Sequence, residues 1–447
     1  MRYLLTGGTI CTFDGEGTTW SPGALGIDAN RIAFVGPDTP RDFVPDEIID
    51  CSGKYILPGF VNAHVHLGEH LLRGWMDEVN FEGLFYSQLF AWESALTPDL
   101  IYTASLAAMA EALRCGVTTV VDMYHHAAAT ARAVQGIGIR ARLGQKILGF
   151  SLDRPPQAIP SGVDYRFDQR AFATQLEQAV GFAEQWAGEG SGRITTALAP
   201  HATNTLTAEM LRDVAKEARA GSFLVHMHLA QMRSEVETVR ERDSLGCVEL
   251  LAECGLLDVP FLGAHAIFLA PNEVQLLVDH GAAVAHNPIA NAKDAGLIAP
   301  AIKFQEAGVT IGLGTDAFRM DILEAARFAA CLHRVHAGDG AVCPAYDVLS
   351  WATRSGALAV GLGEQIGSLE TGKLADVIAI DGTTIETLST EDPYTTILYY
   401  AGPEQVRWVF VNGQPVVRDG TLVTMDLVEI RNAFEESFRA FRKQIGR

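Results

Sequence analysis

Short apolar runs and longer amphipathic stretches alternate through the middle of the chain. Runs rich in β-branched residues, such as residues 117–123 and 194–198, predict buried strands. The stretches between them have helical spacing. Thr97-Pro98 supplies a capping residue and a first-turn proline for one helix, and Gly116 supplies its end. Strands that alternate with helices in this way predict a parallel sheet with right-handed crossovers.

Eight such strands can be counted from residue 58 to residue 365. We place them at residues 60–63, 117–123, 139–148, 194–198, 223–228, 261–264, 282–285 and 309–313. Eight strand–helix units fit an α/β fold of the (β/α)₈ barrel type, and a doubly wound open sheet is the alternative. The barrel is favoured because polar residues follow six of these strands, and a barrel brings strand ends together at one mouth.

The two ends of the chain have a different pattern, in which short strands are separated by turns. Turn pairs such as Gly7-Gly8 and Asp14-Gly15 interrupt residues 1–57. After residue 365, strands are predicted at 373–380 and 406–411, and Asn412-Gly413 is a strong hairpin signal. Residues 427–441 are amphipathic and helical. We therefore predict that residues 1–57 and 366–447 form one small composite β-sandwich domain beside a barrel of residues 58–365.

Composition narrows the class of protein. The 447 residues are 48% hydrophobic and 20% charged, and the formal net charge is -20. Such an acidic chain repels phosphate backbones, so nucleic acid is not expected as a partner. No apolar run reaches about 18 residues and the first residues lack the apolar core of a signal peptide, so no membrane partner is expected. The seven scattered cysteines suit reduced thiols in the cytoplasm.

The first barrel strand ends in a pair of histidines, His64 and His66. Side chains two apart on a strand share a face, so the two imidazoles lie side by side. Imidazole is a good ligand for zinc, iron or nickel, but two histidines are only half a site. A pair taken alone is more often two surface or hydrogen-bonded histidines without a metal.

Other strand ends supply the missing groups: His228, His265 and Asp316. Imidazoles and one carboxylate can hold a divalent cation and leave room for water. Water on such an ion has a pKa lowered toward neutrality and becomes a nucleophile, and a neighbouring carboxylate can accept its proton. Each residue alone could be an ordinary polar strand end, but five at successive strand ends favour a metal-dependent hydrolase.

These motifs resemble the amidohydrolase superfamily, in its aminohydrolase branch. The resemblance covers nearly the whole chain, from residues 58–66 through His286-Asn-Pro and Gly314-Thr-Asp316 to the Gly-Lys-Leu-Ala-Asp run at 372–376. Within the branch, the pattern is nearest to methylthioadenosine/S-adenosylhomocysteine deaminases, with guanine deaminases and triazine hydrolases as relatives. The motifs are specific for the superfamily and much less so for the substrate.

The resemblance implies roles for individual residues. It makes His64, His66, His228 and Asp316 the ligands of one divalent ion, with zinc first and iron or manganese as alternatives. It makes Asp316 the base and His265 the group that polarises the reacting centre. His201 and Glu93 match substrate-contacting positions, Glu93 at a ribose, although a solvated charge is an equal alternative for Glu93. Relatives of this kind are often homo-oligomers, and the expected partner is a small molecule.

The sequence departs from the family pattern after the fifth strand. Relatives carry His-x-x-Glu there, and that glutamate passes a proton to a ring nitrogen, but this chain has His228-Leu-Ala-Gln231. An amide cannot shuttle a proton in this range. Gln231 nevertheless occupies the position of that catalytic glutamate, so we predict that it belongs to the catalytic set with Asp316 and His265. The loop after Asp316 also differs, and Arg319 within it is a candidate substrate contact.

Three functions remain open from the sequence. The first is hydrolysis of a non-peptide C–N bond, as in deamination of an N-heterocycle or nucleobase-like molecule. The second is hydrolysis of an exocyclic urea, carbamate, amide or halide, for which a ring-nitrogen proton donor is less necessary. The third is a non-catalytic scaffold. Glu235 could replace the missing acid, but a solvated helix charge is the alternative, and we expect Asp316 to deliver the proton.

Overall fold

The computed structural model describes residues 1–75, 88–159, 162–317, 319–388 and 391–446. Nineteen strands are present in these ranges: β1 (Arg2–Cys11), β2 (Thr19–Asp28), β3 (Arg31–Gly36), β4 (Glu47–Asp50), β5 (Lys54–Pro58), β6 (Phe60–Val65), β7 (Val117–Tyr124), β8 (Arg140–Ile147), β9 (Gln157–Ile159), β10 (Gly162–Asp164), β11 (Ile194–Pro200), β12 (Leu224–Leu229), β13 (Phe261–His265), β14 (Ala283–His286), β15 (Thr310–Leu313), β16 (Val377–Asp381), β17 (Val406–Val411), β18 (Gln414–Arg418) and β19 (Thr421–Leu422).

The helices lie between the strands. They are α1 (Phe90–Glu93), α2 (Pro98–Arg114), α3 (Ala127–Ile137), α4 (Gln169–Trp186), α5 (Glu189–Gly192), α6 (Ala208–Gly221), α7 (Arg233–Asp243), α8 (Cys247–Glu253), α9 (Pro271–Asp279), α10 (Pro288–Ala295), α11 (Ala301–Ala307), α12 (Ile322–Ala337), α13 (Ala345–Trp351), α14 (Arg354–Ala359), α15 (Pro393–Tyr400) and α16 (Leu427–Gln444), with 3₁₀ turns at Leu67–Leu72, Leu256–Asp258 and Pro403–Gln405. In the described ranges, none of them combines the length and apolarity needed to cross a membrane.

Local sequence signals account for where several helices begin. The Thr97 side chain accepts a hydrogen bond from the amide of Leu100 at 3.4 Å, and Pro98 occupies the first turn of α2. Thr207 caps α6 in the same way, through the amide of Met210 at 3.3 Å. The predicted start of α2 is therefore confirmed, and both helices bury their apolar residues.

The eight predicted barrel strands are confirmed. They form one parallel sheet in the order β15-β14-β13-β12-β11-β8-β7-β6. The chain after β15 returns to β6, where the amides of Thr315 and Asp316 donate to the carbonyl of His64 at 3.2 and 3.0 Å. This contact nearly closes the barrel, and it fixes the end of the eighth strand against the end of the first.

The strands at the two chain ends share a single mixed sheet of nine strands. Its order is β19-β18-β17-β16-β5-β1-β2-β3, and β4 pairs with β1. In the order of the sheet, the two halves meet at the antiparallel pair of β5 and β16. Asn412 and Gly413 form the predicted hairpin turn with φ of 52° and 74°, and a Cβ at Gly413 would lie 2.0 Å from the carbonyl oxygen of Ala29. Strands from both chain ends thus belong to one continuous sheet, and the domain bounds at residues 57 and 365 stay a prediction.

A buried ion pair joins this sheet to the barrel. Arg140 of β8 donates to both carboxylate oxygens of Asp376, from Nε at 2.7 Å and from Nη2 at 2.9 Å. The amide of Asn412 donates to the same carboxylate at 2.7 Å. Because both side chains are almost fully buried, removal of one leaves the other charge without a partner.

We expect Arg140→Met to lower the free energy of unfolding by about 3–5 kcal/mol, because the Asp376 carboxylate would remain buried without its cation. The measurement is urea unfolding followed by circular dichroism. Arg219→Met is the matched control, since the Arg219–Asp258 pair is more than half exposed on both sides, and it should change stability by less than about 1 kcal/mol. Equal effects of the two substitutions would contradict this role of Arg140.

Candidate metal centre

The structure brings the five predicted strand-end residues together at the C-terminal mouth of the barrel. The Asp316 carboxylate faces three imidazoles, with Oδ1 at 3.7 Å from Nε2 of His64 and 3.3 Å from Nε2 of His66, and Oδ2 at 3.6 Å from Nε2 of His265. The Nε2 atoms of His66 and His228 are 3.1 Å apart. All five residues are buried.

These separations fit a single divalent cation. Ligands at about 2.0–2.2 Å from a tetrahedral metal lie about 3.4 Å from one another. Two combinations of three donor atoms fall within 4.8 Å of each other: His64, His228 and His265, and His64, His66 and Asp316. The Nε2 atoms of His64 and His265 are buried and have no hydrogen-bond partner among the described residues. Buried polar atoms are normally paired, so these orphan nitrogens suit a cation.

The electrostatics keep the histidines in the form that can bind a metal. Burial lowers the pKa of His66 to about 4, although the Asp316 carboxylate opposes the shift. Burial and neighbouring imidazoles also lower the pKa of His64 and of His228 well below its ordinary value. The rings are therefore neutral near pH 7, and a neutral imidazole has a lone pair for a metal.

The backbone is strained at several points of this cluster. His265 has φ of 75° and Asp316 has φ of 59°, values in the left-handed region that non-glycine residues rarely adopt. Ala230, between His228 and Gln231, has φ of 45°. Such residues cost of order 1–3 kcal/mol each and tend to concentrate at functional sites. The three strained positions lie at or just after the carboxyl ends of β12, β13 and β15, beside the cluster.

A second layer of hydrogen bonds orients the rings. Nδ1 of His66 lies 3.0 Å from the carbonyl of Met123, and Nδ1 of His228 lies 2.8 Å from the carbonyl of His201. Nδ1 of His64 faces Nε2 of His226 at 2.9 Å, and Nδ1 of His265 faces Oδ1 of Asn291 at 2.8 Å. Partners of this kind fix which ring nitrogen carries hydrogen.

The sequence interpretation missed His226 and Asn291. A signal existed for His226, because it stands two residues before His228 on the same strand and therefore on the same face. No comparable signal existed for Asn291, which lies 26 residues after His265, on α10.

His201 and Glu93 occupy different surroundings. His201 follows β11 directly, and its ring centroid is 4.8 Å from that of His228, so it lines the same mouth. Glu93 is buried, with Oε1 at 2.6 Å from Nζ of Lys146 and Oε2 at 2.9 Å from Nε2 of His125. Burial alone would raise the pKa of Glu93, but these two partners lower it. Glu93 is therefore not the solvated charge that the sequence left open, and both of its oxygens are engaged.

Gln231 lies at the mouth and is only 8% exposed. The main chain at this position is fixed by Glu235, whose Oε2 accepts a hydrogen bond from the amide of Gln231 at 2.8 Å. Oε1 of Glu235 accepts from Oγ1 of Thr203 at 2.5 Å. The expectation of a solvated charge at Glu235 is wrong, because the carboxylate satisfies buried donors at the start of α7.

The structure places Arg319 apart from the histidine cluster. Its side chain is 54% exposed, and its ion-pair partners among the described residues are Glu111, Asp321 and Glu324, at 3.9, 3.7 and 3.5 Å. An exposed guanidinium with acidic partners gains little from any one of them. Its role as a substrate contact stays a prediction.

Comparison with known proteins agrees with this geometry. A family model described as the amidohydrolase family matches residues 55–416. The chain is 36% identical over 421 residues to a 5-methylthioadenosine/S-adenosylhomocysteine deaminase from Moorella thermoacetica, covering 93% of this chain and 94% of the relative.

Two solved structures extend the comparison. A zinc-bound adenosine deaminase from Xanthomonas campestris is 26% identical, with a TM-score of 0.90 and coverage of 99% and 98% of the two chains. An atrazine chlorohydrolase from Arthrobacter aurescens, complexed with zinc, is 24% identical with a TM-score of 0.86, and the match covers 98% and 100% of the chains. The second likeness concerns the fold alone.

Proposed function

The chain belongs to the amidohydrolase family, and on that premise we propose that it replaces an exocyclic amino group of a nitrogen heterocycle with oxygen and releases ammonia. It is a metal-dependent hydrolase that acts on a carbon–nitrogen bond. The observation that carries the proposal is the pair of buried donor triads that share His64, one with His228 and His265 and the other with His66 and Asp316. The deaminase relatives and this intact set of residues argue against the scaffold alternative.

The proposed ligands are His64, His66, His228 and Asp316. When bound there, a divalent ion supplies Lewis-acid activation of the attacking water at neutral pH. Zinc is the proposed ion, in place of iron or manganese, because imidazole and carboxylate suit it and the similar adenosine deaminase structure carries it. About one equivalent per chain is expected.

Asp316 and His265 are the proposed acid–base pair. Oδ2 of Asp316 lies 3.6 Å from Nε2 of His265, on the side away from His64 and His66. This oxygen can take a proton from the attacking water and return it to the departing amine. His265, held by Asn291, can donate a hydrogen bond to the reacting centre.

His201 and Gln231 complete the proposed substrate contacts. His201 lies beside the ligand His228, where a heterocycle would enter. The Gln231 amide can hold a ring nitrogen by a hydrogen bond without transferring a proton. A ribose contact at Glu93 would have to compete with Lys146 and His125, so we favour a positioning role for Glu93 over the ribose contact.

The amide at Gln231 also supports a second candidate function. Hydrolysis of an exocyclic urea, carbamate, amide or halide requires no proton on a ring nitrogen, which is the step that a glutamate would serve at this position. Structural likeness to the atrazine chlorohydrolase adds little, because it concerns the fold. Deamination remains the first candidate because the more similar relative is a deaminase.

A screen with the zinc-loaded protein separates the two candidates. Amino-heterocycles, such as 5′-deoxyadenosine and guanine, are compared with phenylureas and carbamates, and ammonia and free amine are measured. Ammonia from an amino-heterocycle is the expected result. Amine from a urea or carbamate would favour the second candidate, and turnover of neither group by a fully loaded protein would contradict the proposed substrate class.

Removal of the Gln231 side chain should impair turnover moderately. Gln231→Ala is expected to lower kcat/KM by about tenfold, since one substrate hydrogen bond contributes about 1.4 kcal/mol at most in this setting. Glu235→Gln should leave kcat within a few-fold, because Glu235 bonds the protein and not the substrate, but should lower the melting temperature. Steady-state kinetics and thermal unfolding test both. Loss of turnover in Glu235→Gln with unchanged metal content and melting temperature would instead make Glu235 the proton donor.

We also propose that the protein works in the cytoplasm as a homo-oligomer on a small-molecule substrate. The seven cysteines support the first point, because all of them are free thiols in the structure. The proposal of a homo-oligomer is supported by the family resemblance alone. Light scattering of the purified protein measures it, and a monomer at micromolar concentration would contradict it.

A further inference from the structure

The three histidines of the proposed ligand set differ in how their metal-binding tautomer is fixed. His66 and His228 each point Nδ1 at a main-chain carbonyl, of Met123 at 3.0 Å and of His201 at 2.8 Å. A carbonyl can only accept a hydrogen bond. Both rings therefore carry hydrogen on Nδ1, which leaves the Nε2 lone pair free toward the cluster. These two ligands are fixed in the metal-binding form before any ion arrives.

His64 lacks such a fixed partner. Its Nδ1 lies 2.9 Å from Nε2 of His226, and an imidazole nitrogen can donate or accept. If His64 donates, its Nε2 keeps a lone pair and can bind a metal. If His226 donates, Nε2 of His64 carries the hydrogen, which then points toward Oδ1 of Asp316 at 3.7 Å. Only the first arrangement makes His64 a ligand.

The surroundings of His226 do not decide between the two arrangements. The ring is fully buried, and its Nδ1 has no hydrogen-bond partner among the described residues. Neither arrangement therefore gains a bond at that nitrogen. An ion at Nε2 of His64 would decide the matter, because it requires the lone pair there and so moves the hydrogen to Nδ1.

We propose that His226 is a positioning residue that accepts the Nδ1 hydrogen of His64 and thereby sets the affinity of the site for its metal. The proposal rests on the metal site of the proposed function. His226 touches neither the ion nor the substrate, so its effect passes through the orientation and tautomer of one ligand. Partners of this type typically change metal affinity by 10–100-fold.

The test compares three substitutions at His226 by competition of the purified protein with a chelator for Zn²⁺. His226→Leu keeps apolar volume but removes the acceptor, and a loss of about 10–100-fold in Zn²⁺ affinity is expected. His226→Gln can place its Oε1 near the position of Nε2, so its affinity should stay within a few-fold of wild type. His226→Asn is polar but too short to reach His64, and it should resemble the leucine variant.

A second buried histidine pair provides the control. His333 and His286 meet through their Nε2 atoms at 3.0 Å, and neither belongs to the ligand set. His333→Leu removes a pair of the same kind, so it should lower the melting temperature without changing Zn²⁺ affinity. Melting temperatures of all four variants show which losses come from unfolding.

The outcomes separate this inference from the proposed function. Wild-type Zn²⁺ affinity in folded His226→Leu or His226→Asn would overturn the role of His226 while leaving the metal site in place. An equal loss in His333→Leu would overturn it as well, because the effect would then reflect general damage to the core. Absence of Zn²⁺ binding in the wild-type protein would overturn both the metal site and this inference.

Discussion

Asp316→Asn is expected to lower kcat by on the order of 10⁴-fold, the upper end of what a positioned general acid–base group contributes. The carboxylate faces His64 and His66 through one oxygen and His265 through the other. An amide of the same shape can still pack there, but it cannot accept the proton of the attacking water. The fold should therefore remain while turnover is lost.

Three measurements establish the cause of that loss: kcat, metal content and melting temperature. His265→Ala serves as a graded comparison, because removing one preorganised donor costs about 10²–10³-fold. A smaller effect than that of Asp316→Asn is expected. Wild-type turnover in the asparagine variant would place the acid–base chemistry on another residue.

His228→Ala is expected to remove most of the bound metal. The substitution deletes one of four donors and the bond from Nδ1 to the carbonyl of His201. Even the partners behind metal ligands change metal affinity by about 10–100-fold. Loss of a ligand itself should cost more, so about one equivalent should fall to a small fraction after dialysis.

Elemental analysis of the dialysed proteins measures this loss. The control is His280→Ala, since His280 is a partly exposed histidine whose ion pair with Asp258 lies outside the cluster. It should keep the wild-type metal content. A full complement of metal in His228→Ala would refute the assignment of His228 as a ligand.

The fold could be predicted from the sequence because the patterns of apolar residues that identify its strands and helices each lie within a short stretch of chain. Each barrel strand is a short run bounded by turn residues, and caps such as Thr97 and Thr207 mark helix starts directly. Strand pairing in the terminal sheet could not be predicted in this way. The contact between β5 and β16 joins residues more than 300 positions apart, and no local pattern specifies that one sheet would hold both ends.

The candidate site could be predicted in part for the same reason. His64, His228 and Asp316 stand at strand ends, and a barrel brings all strand ends to one mouth. The partners behind them could not be predicted in this way. Asn291 reaches His265 from α10, the helix after the neighbouring strand β14, and its contact depends on where that helix packs and not on spacing.

Single charges on loops and helices gave the weakest predictions. Glu93 and Glu235 each have sequence surroundings that suit a solvated side chain, yet both are almost fully buried. The partner of Glu93 is Lys146, 53 residues away on β8, and the partner of Glu235 is Thr203, after β11. Whether such a charge is buried depends on tertiary partners, which local periodicity does not report.

The sheet shared by the two chain ends has a consequence for synthesis on the ribosome. Strand β5 is translated early, but its antiparallel partner β16 emerges only after the whole barrel has been made. Until then β5 exposes an unpaired edge, which is a template for aggregation. A chain that ends before residue 377 never forms β16, so its β5 edge stays unpaired. We therefore expect chaperones and proteases to act on truncated products in preference to full-length chains.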